Sequence, residues 1–310
     1  MTEQLARYHT PMEDSTRWDG FEFRPGDIVI GSPSKSGTTW TQMICALLIF
    51  QTPDLPAPLT TLSPWIDMRV RPKEEVWESL AAQRHRRFIK THTPFDGLPI
   101  DPRATYITVG RDPRDVAISL RSHGKNLKRD VIGELIRGAQ PGDREDDAPA
   151  DGVDERDQLD ERDYVLRWID NDDPPSENLD SLRGLVWQQG RAWELRAEPN
   201  VVLLHYAELS DDLAGQMRWL AGHLGIDVPE DRWPALVEAA TFDRMKQRAD
   251  DLAPDENLDY IRDKERFFRS GTSGEWRKVL TDADQAHYDE RMTELAEPGL
   301  AAWLHHGSRG

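Results

Sequence analysis

The stretch from Asp27 to Phe50 constrains the fold more than any other part of the chain. Asp27-Ile28-Val29-Ile30 is a short β-rich run, followed by the loop Gly31-Ser32-Pro33-Ser34-Lys35-Ser36-Gly37. Thr38 to Phe50 then places Trp40, Met43, Ile44, Leu47 and Leu48 on one helical face. A strand that turns through a Gly- and Ser-rich loop into a helix presents backbone N–H groups and the positive end of the helix dipole at the turn. Such a turn favours an anion such as phosphate.

The same alternation continues along the chain. Arg87-Phe88-Ile89-Lys90 and Thr105-Tyr106-Ile107-Thr108-Val109 read as strands, the second leading into a helix near Arg114 to Ser122. Asn200 to Tyr206 reads as another strand, before a helix that Ser210 or Asp211 could cap and that carries Leu213, Met217, Leu220 and Leu224. Short apolar strands alternating with amphipathic helices predict an α/β, P-loop-like three-layer fold: a central parallel sheet with helices on both faces. Ligands in such sheets bind at the carboxyl ends of the strands. Three stretches therefore fall on one edge: Gly31 to Thr39, Lys90-Thr91-His92, and Gly110-Arg111-Asp112.

A length of 310 residues suits one large domain spanning residues 1–310 with insertions. The net charge of −18 argues against a nucleic-acid partner, which would need a basic surface, and requires any anionic ligand to sit in a local positive pocket. Acidity is concentrated between Pro141 and Asp163, where 11 Asp and Glu face 3 Arg. That density predicts an acidic insertion or lid at about 141–180, with Val165, Leu166 and Trp168 at its edge able to meet an apolar acceptor. No signal-peptide pattern and no apolar run of membrane-spanning length occur, so a cytoplasmic protein without integral membrane contact is expected. The one cysteine, Cys45, lies in an apolar run and reads as core.

The loop differs from a nucleotide-kinase phosphate loop in one decisive place. In that motif the lysine follows the second glycine, whereas here Lys35 precedes Gly37 by two residues and Thr38 holds the lysine's place. Lys35 remains able to neutralise charge developing on a bound anion.

Pro33-Ser34-Lys35-Ser36-Gly37-Thr38-Thr39-Trp40 resembles the 5'-phosphosulfate loop of the cytosolic sulfotransferase family, which uses 3'-phosphoadenosine-5'-phosphosulfate (PAPS) as donor. Lys90-Thr91-His92-Thr93-Pro94 resembles the segment carrying that family's catalytic histidine. Arg111 to Ser119 is similar to the segment that binds the 3'-phosphate, and Phe268 to Trp276 to the closing loop. The stretches Asp67 to Arg71 and Gln83 to Gly97 further resemble actinobacterial relatives of glycolipid type.

The resemblance implies sulfuryl transfer from PAPS to an acceptor hydroxyl, on a small molecule or a lipid-like alcohol, with release of 3'-phosphoadenosine-5'-phosphate (PAP). His92 would take the acceptor proton, Lys35 face the leaving oxygen and Lys90 hold sulfuryl or phosphate oxygens. Ser34, Ser36, Gly37, Thr38 and Thr39 would bind the donor with Lys35, and Arg111 and Ser119 its 3'-phosphate. Trp40, Tyr206, Phe242 and Met245 match positions around the adenine, although Trp40 could equally be a core residue. Arg269, Ser270 and Gly271 would close over the phosphate.

The departures are Ser270 in place of the family lysine, Ala240 in place of a threonine, and a poorly kept dimer motif with Asp282 in an apolar position, which leaves the oligomeric state open. No ligand spacing implies a metal. The alternatives are a P-loop-like kinase and a non-catalytic nucleotide-binding protein.

Overall fold

The computed structural model describes residues 5–139, 158–255 and 258–309. Four strands form one parallel sheet in the order β2-β1-β3-β4, with β1 Ile28–Gly31, β2 Phe88–Thr91, β3 Thr105–Gly110 and β4 Val201–His205. Strand alternation divides the side chains between two layers. Ile28, Ile30, Phe88, Ile107, Val109, Val202 and Leu204 pack with helices Thr38–Phe50 and Leu213–His223 in one core cluster. Val29, Ile89, Tyr106 and Val201 face the other way, into a cluster with Trp18, Val76, Leu80 and Ala192. Both faces are thus covered, as the run of β-branched residues predicts. The described residues contain no helix long and apolar enough to cross a membrane.

Local chemistry explains where elements begin and end. Asp112 caps helix Pro113–Lys125 by accepting from the Arg114 N–H, and Pro113 occupies the first turn, where its missing N–H costs nothing. After β4, a short helix Tyr206–Asp211 intervenes, so the cap of the following helix is Asp212, which accepts from Gly215 N–H, and not Ser210 or Asp211. Cys45 is fully buried, and burial pushes its thiol up to about 12.

Residues 141–157 of the expected acidic lid lie outside the described residues. Beyond them, Glu161–Ile169 is a helix capped by Asp160, and it buries Val165, Trp168 and Ile169 against Val116, Ile118 and Leu185. Leu166 packs against the same cluster. These residues therefore meet the protein core and not an acceptor, because their i, i+3, i+4 spacing forms an apolar helix face despite the acidic surroundings.

Candidate active site

Each strand ends at one cleft. β1 runs into the loop holding Lys35, β2 is followed by His92, β3 by Arg111 and β4 by Tyr206, and all four residues line one cavity. Its empty volume, part of it open to solvent, is about 1010 Å³.

The loop after β1 curls over this cavity by unusual backbone geometry. Lys35 has φ 63° and Gly37 φ 120°, conformations that L side chains rarely adopt. The turn is held from beneath by Ser32 Oγ and Thr38 Oγ1, 3.2 Å apart, and from the side by Arg111, whose Nη1 donates to the Lys35 carbonyl at 2.9 Å. Lys35 Nζ sits 3.7 Å from the Phe267 ring centroid. Burial, followed by the positive charges of Arg111, Lys90 and Arg269, pushes the Lys35 ammonium down to about 7. Ser34, Gly37, Thr38, Thr39 and Trp40 share the cavity wall with it. Ser36 does not: it is buried, and its Oγ has no hydrogen-bond partner.

His92 is fixed in place on three sides. Its Nδ1 and the Ser32 carbonyl are 2.5 Å apart, and a carbonyl only accepts, so Nδ1 carries the proton and Nε2 the lone pair of the neutral ring. Its N–H donates to Asp67 Oδ2 at 2.9 Å and its carbonyl accepts from Gln188 Nε2 at 2.8 Å. The same Asp67 oxygen accepts from Thr91 Oγ1, Thr93 N–H and Thr93 Oγ1, clamping the backbone that leaves β2. The ring meets Trp65 edge-on at 4.8 Å. Burial first, then Lys90, and to a smaller degree Lys35, hold the imidazole well below its usual range against the pull of the Ser32 carbonyl. Lys90, the last residue but one of β2, places Nζ 3.4 Å from the Trp65 ring centroid. It lines the cavity beside His92.

The opposite end is built from Arg111 and the segment 269–275. Arg111 is buried, lies 4.1 Å over the Tyr206 ring and donates Nη2 to the Thr272 carbonyl at 3.2 Å, so one guanidinium joins two loops. Asp115, buried one turn into helix Pro113–Lys125, accepts from the N–H groups of Gly274 and Glu275. Burial raises its carboxyl while the Gly274 N–H opposes that rise. Arg269 is ion-paired with Glu275. Gly271 has φ 67°, and a Cβ there would lie 2.5 Å from the Phe242 ring. Ser119, Phe242, Met245, Arg269, Ser270 and Gly271 all reach the same cavity. Trp40 meets Tyr206 edge-on at 5.3 Å, donates Nε1 to the Ala240 carbonyl and packs partly on the core, so it is both a wall and a core residue.

Lys35, Lys90, Arg111 and Arg269 gather four cationic side chains at one cavity within a chain of net charge −18. Buried Nε atoms of Arg111 and Arg269 have no partner. These unsatisfied donors suit an anionic ligand with several oxygens. Among the described residues, no three His, Cys, Asp or Glu side chains are gathered to hold a metal ion.

The family model described as sulfotransferase domain matches residues 25–298. The chain belongs to the sulfotransferase family. A glycolipid sulfotransferase of Mycobacterium bovis is 43% identical to this sulfotransferase over 318 residues, covering 100% of the chain and 97% of the relative. Human sulfotransferase 2B1 is 27% identical over 86% of the chain and 65% of its own length. In fold, the enzyme is similar to a mouse sulfotransferase solved with PAP, at TM-score 0.65 and 21% identity, covering 93% of this chain and 90% of that one. A retinol dehydratase solved with androsterone and PAP gives TM-score 0.64 at 20% identity, covering 92% and 86%.

Several wall residues of the sulfotransferase escaped the motifs. Met12 and Trp65 reach the cavity from the N-terminal third, Tyr260 and Phe267 from the segment before the closing loop. No spacing links them to the site. His123 is different: it stands four residues after Ser119, hence on the same helix face, and that periodicity was a usable signal.

Proposed function

We propose that this sulfotransferase uses PAPS as donor, transfers its sulfuryl group to a hydroxyl of a lipid-like acceptor such as a glycolipid, and releases PAP. The observation that carries the mechanism is the Nδ1 contact of His92 with the Ser32 carbonyl, which leaves Nε2 as the basic nitrogen of a neutral, buried imidazole beside two lysines. PAPS supplies an activated sulfuryl group that needs no covalent bond to the protein. His92 Nε2 takes the acceptor's hydroxyl proton as the acceptor oxygen forms its bond to sulfur. Lys35 faces the 5'-phosphate oxygen on which negative charge collects as the old S–O bond breaks, and Lys90 holds the equatorial oxygens. Fixing donor and acceptor in line accounts for the rest of the acceleration.

Ser34 and the loop through Thr39 hold the 5' side of the donor. Arg111, Ser119, Arg269, Ser270 and Gly271 hold the 3'-phosphate, and Trp40, Tyr206, Phe242 and Met245 enclose the adenine. The unpartnered Nε atoms of Arg111 and Arg269 support an oxygen-rich anion nearby. No metal has a role in this scheme, since the four cationic side chains carry the neutralising charge. A cytoplasmic setting suits a chain whose single cysteine is buried and unpaired. The acceptor class rests on the glycolipid sulfotransferase relative and on the apolar character of Met12, Leu127 and Phe267 in the cavity wall.

The test is transfer from 35S-labelled PAPS to glycolipids and long-chain alcohols with a chelator present. Labelled lipid product is expected. Turnover of ATP that requires magnesium, without sulfuryl transfer, would instead favour the kinase reading.

A further inference from the structure

His123 lines the cavity from the last turn of helix Pro113–Lys125, yet none of the roles above uses it. Its ring packs edge-on against Phe267, with centroids 5.6 Å apart. Its Nδ1 is buried without a hydrogen-bond partner. The contrast with His92 is informative: the protein satisfies one nitrogen of His92 with the Ser32 carbonyl, and nothing among the described residues does so for Nδ1 of His123. A buried polar atom left unsatisfied by the fold needs an explanation, and in a ligand cavity the explanation is a ligand atom. Met12, Leu127, Tyr260 and Phe267 line the same cavity, and the Phe267 ring lies directly against the imidazole.

We infer that His123 is a specificity-determining residue that hydrogen-bonds a second hydroxyl of the acceptor, next to the one that is sulfated. The inference rests on the acceptor reading above. Burial, then Lys35, Lys90, His92 and Arg129, oppose protonation of His123. Nδ1 of a neutral imidazole carries either the N–H or the lone pair, and a hydroxyl meets it in either tautomer because it both donates and accepts. A cationic acceptor group is disfavoured by Lys35 and Lys90. The site therefore suits an acceptor with a polyhydroxyl head on an apolar tail, and disfavours a lone aliphatic alcohol.

The experiment compares octyl β-glucoside with 1-octanol as acceptors for the wild type, His123→Phe and His123→Gln, with saturating PAPS. Phe keeps the edge contact with Phe267 and removes both ring nitrogens, whereas Gln restores a donor and an acceptor. The wild type is expected to prefer the glucoside. His123→Phe should lower the glucoside-to-octanol ratio of kcat/KM about tenfold, mainly through the KM for glucoside, and His123→Gln should recover part of it. PAP affinity and thermal unfolding, measured on each variant, identify a folding defect, in which case the Gln variant and the wild-type preference decide. An unchanged ratio in His123→Phe, equal losses on both acceptors, or a wild type without preference would overturn the inference alone. A wild type that binds PAP but sulfates neither compound would overturn the acceptor reading as well.

Discussion

Raising the pH from 7 to 9 should weaken PAP binding through a single lysine. In the free protein, burial and three neighbouring cations push Lys35 down to about 7, so about half of the molecules carry the ammonium at pH 7 and about one in a hundred at pH 9. An anionic phosphate facing Nζ offsets burial and the neighbouring cations and returns the group toward its ordinary value of 10.5. Binding then takes up a proton, and affinity must fall as pH rises between the two values. The expected change is about fifty-fold in Kd from pH 7 to 9, or about 2.3 kcal/mol at roughly 1.36 kcal/mol per unit. Phosphate monoesters finish titrating near pH 6, so the ligand itself contributes little in this window. Calorimetry in buffers of different ionisation enthalpy should find uptake of about half a proton at pH 7 and close to one at pH 9. Lys35→Met should bind more weakly at pH 7 and lose the slope. A flat profile in the wild type, or the same slope in Lys35→Met, would refute the coupling.

His92→Ala should reduce kcat by about 10²–10⁴-fold while PAP affinity stays within about twofold, as rapid-quench assays and calorimetry can establish. Because the imidazole is held well below 6.5 and must be neutral to act as a base, the acid limb of kcat/KM should have its midpoint below pH 6.5, which a pH–rate profile checks. Asp115→Asn removes one of the oxygens that fasten Gly274 and Glu275, and PAP Kd should rise about tenfold with little change in unfolding temperature. Gly271→Ala sets a methyl against Phe242 at a positive φ, costing about 1–3 kcal/mol in donor affinity or stability, to be read by calorimetry and thermal melts.

The strands and first helix were legible because their apolar periods are clean: helix Thr38–Phe50 was read with its observed bounds, and each strand lies within a residue or so of its reading. The donor-side candidates were legible for a related reason. Lys35, His92 and Arg111 follow strand ends, and strand ends in a parallel sheet converge without any knowledge of side-chain contacts, whereas Tyr206, read as the last residue of its strand, came to the site only through the resemblance. What the sequence hid is support that arrives from far away. Asp67 holds the backbone of Thr91 to Thr93, and Gln188 the carbonyl of His92, yet Gln188 lies in no motif and the resemblance that begins at Asp67 gave that carboxylate no role. Helix Glu161–Ile169 was hidden differently, since local acidity masked an apolar face that only its packing against Val116 and Ile118 makes plain.

The sheet order has a consequence for how the molecule comes into being. Ile28 pairs with Phe88 and with Thr105, and Tyr106 pairs with Val201, so no strand finds its neighbour locally. Such distant pairings make folding slow relative to local structures. Until β4 has been synthesised and has docked on β3, Arg111 lacks the Tyr206 ring beneath it and the loop of Lys35 lacks the aromatic wall behind Gly37. A nascent chain that stops short of Val201 thus carries the phosphosulfate loop and the histidine in its sequence but has no nucleotide site to offer. Ligand-binding competence should appear late and all at once on the ribosome.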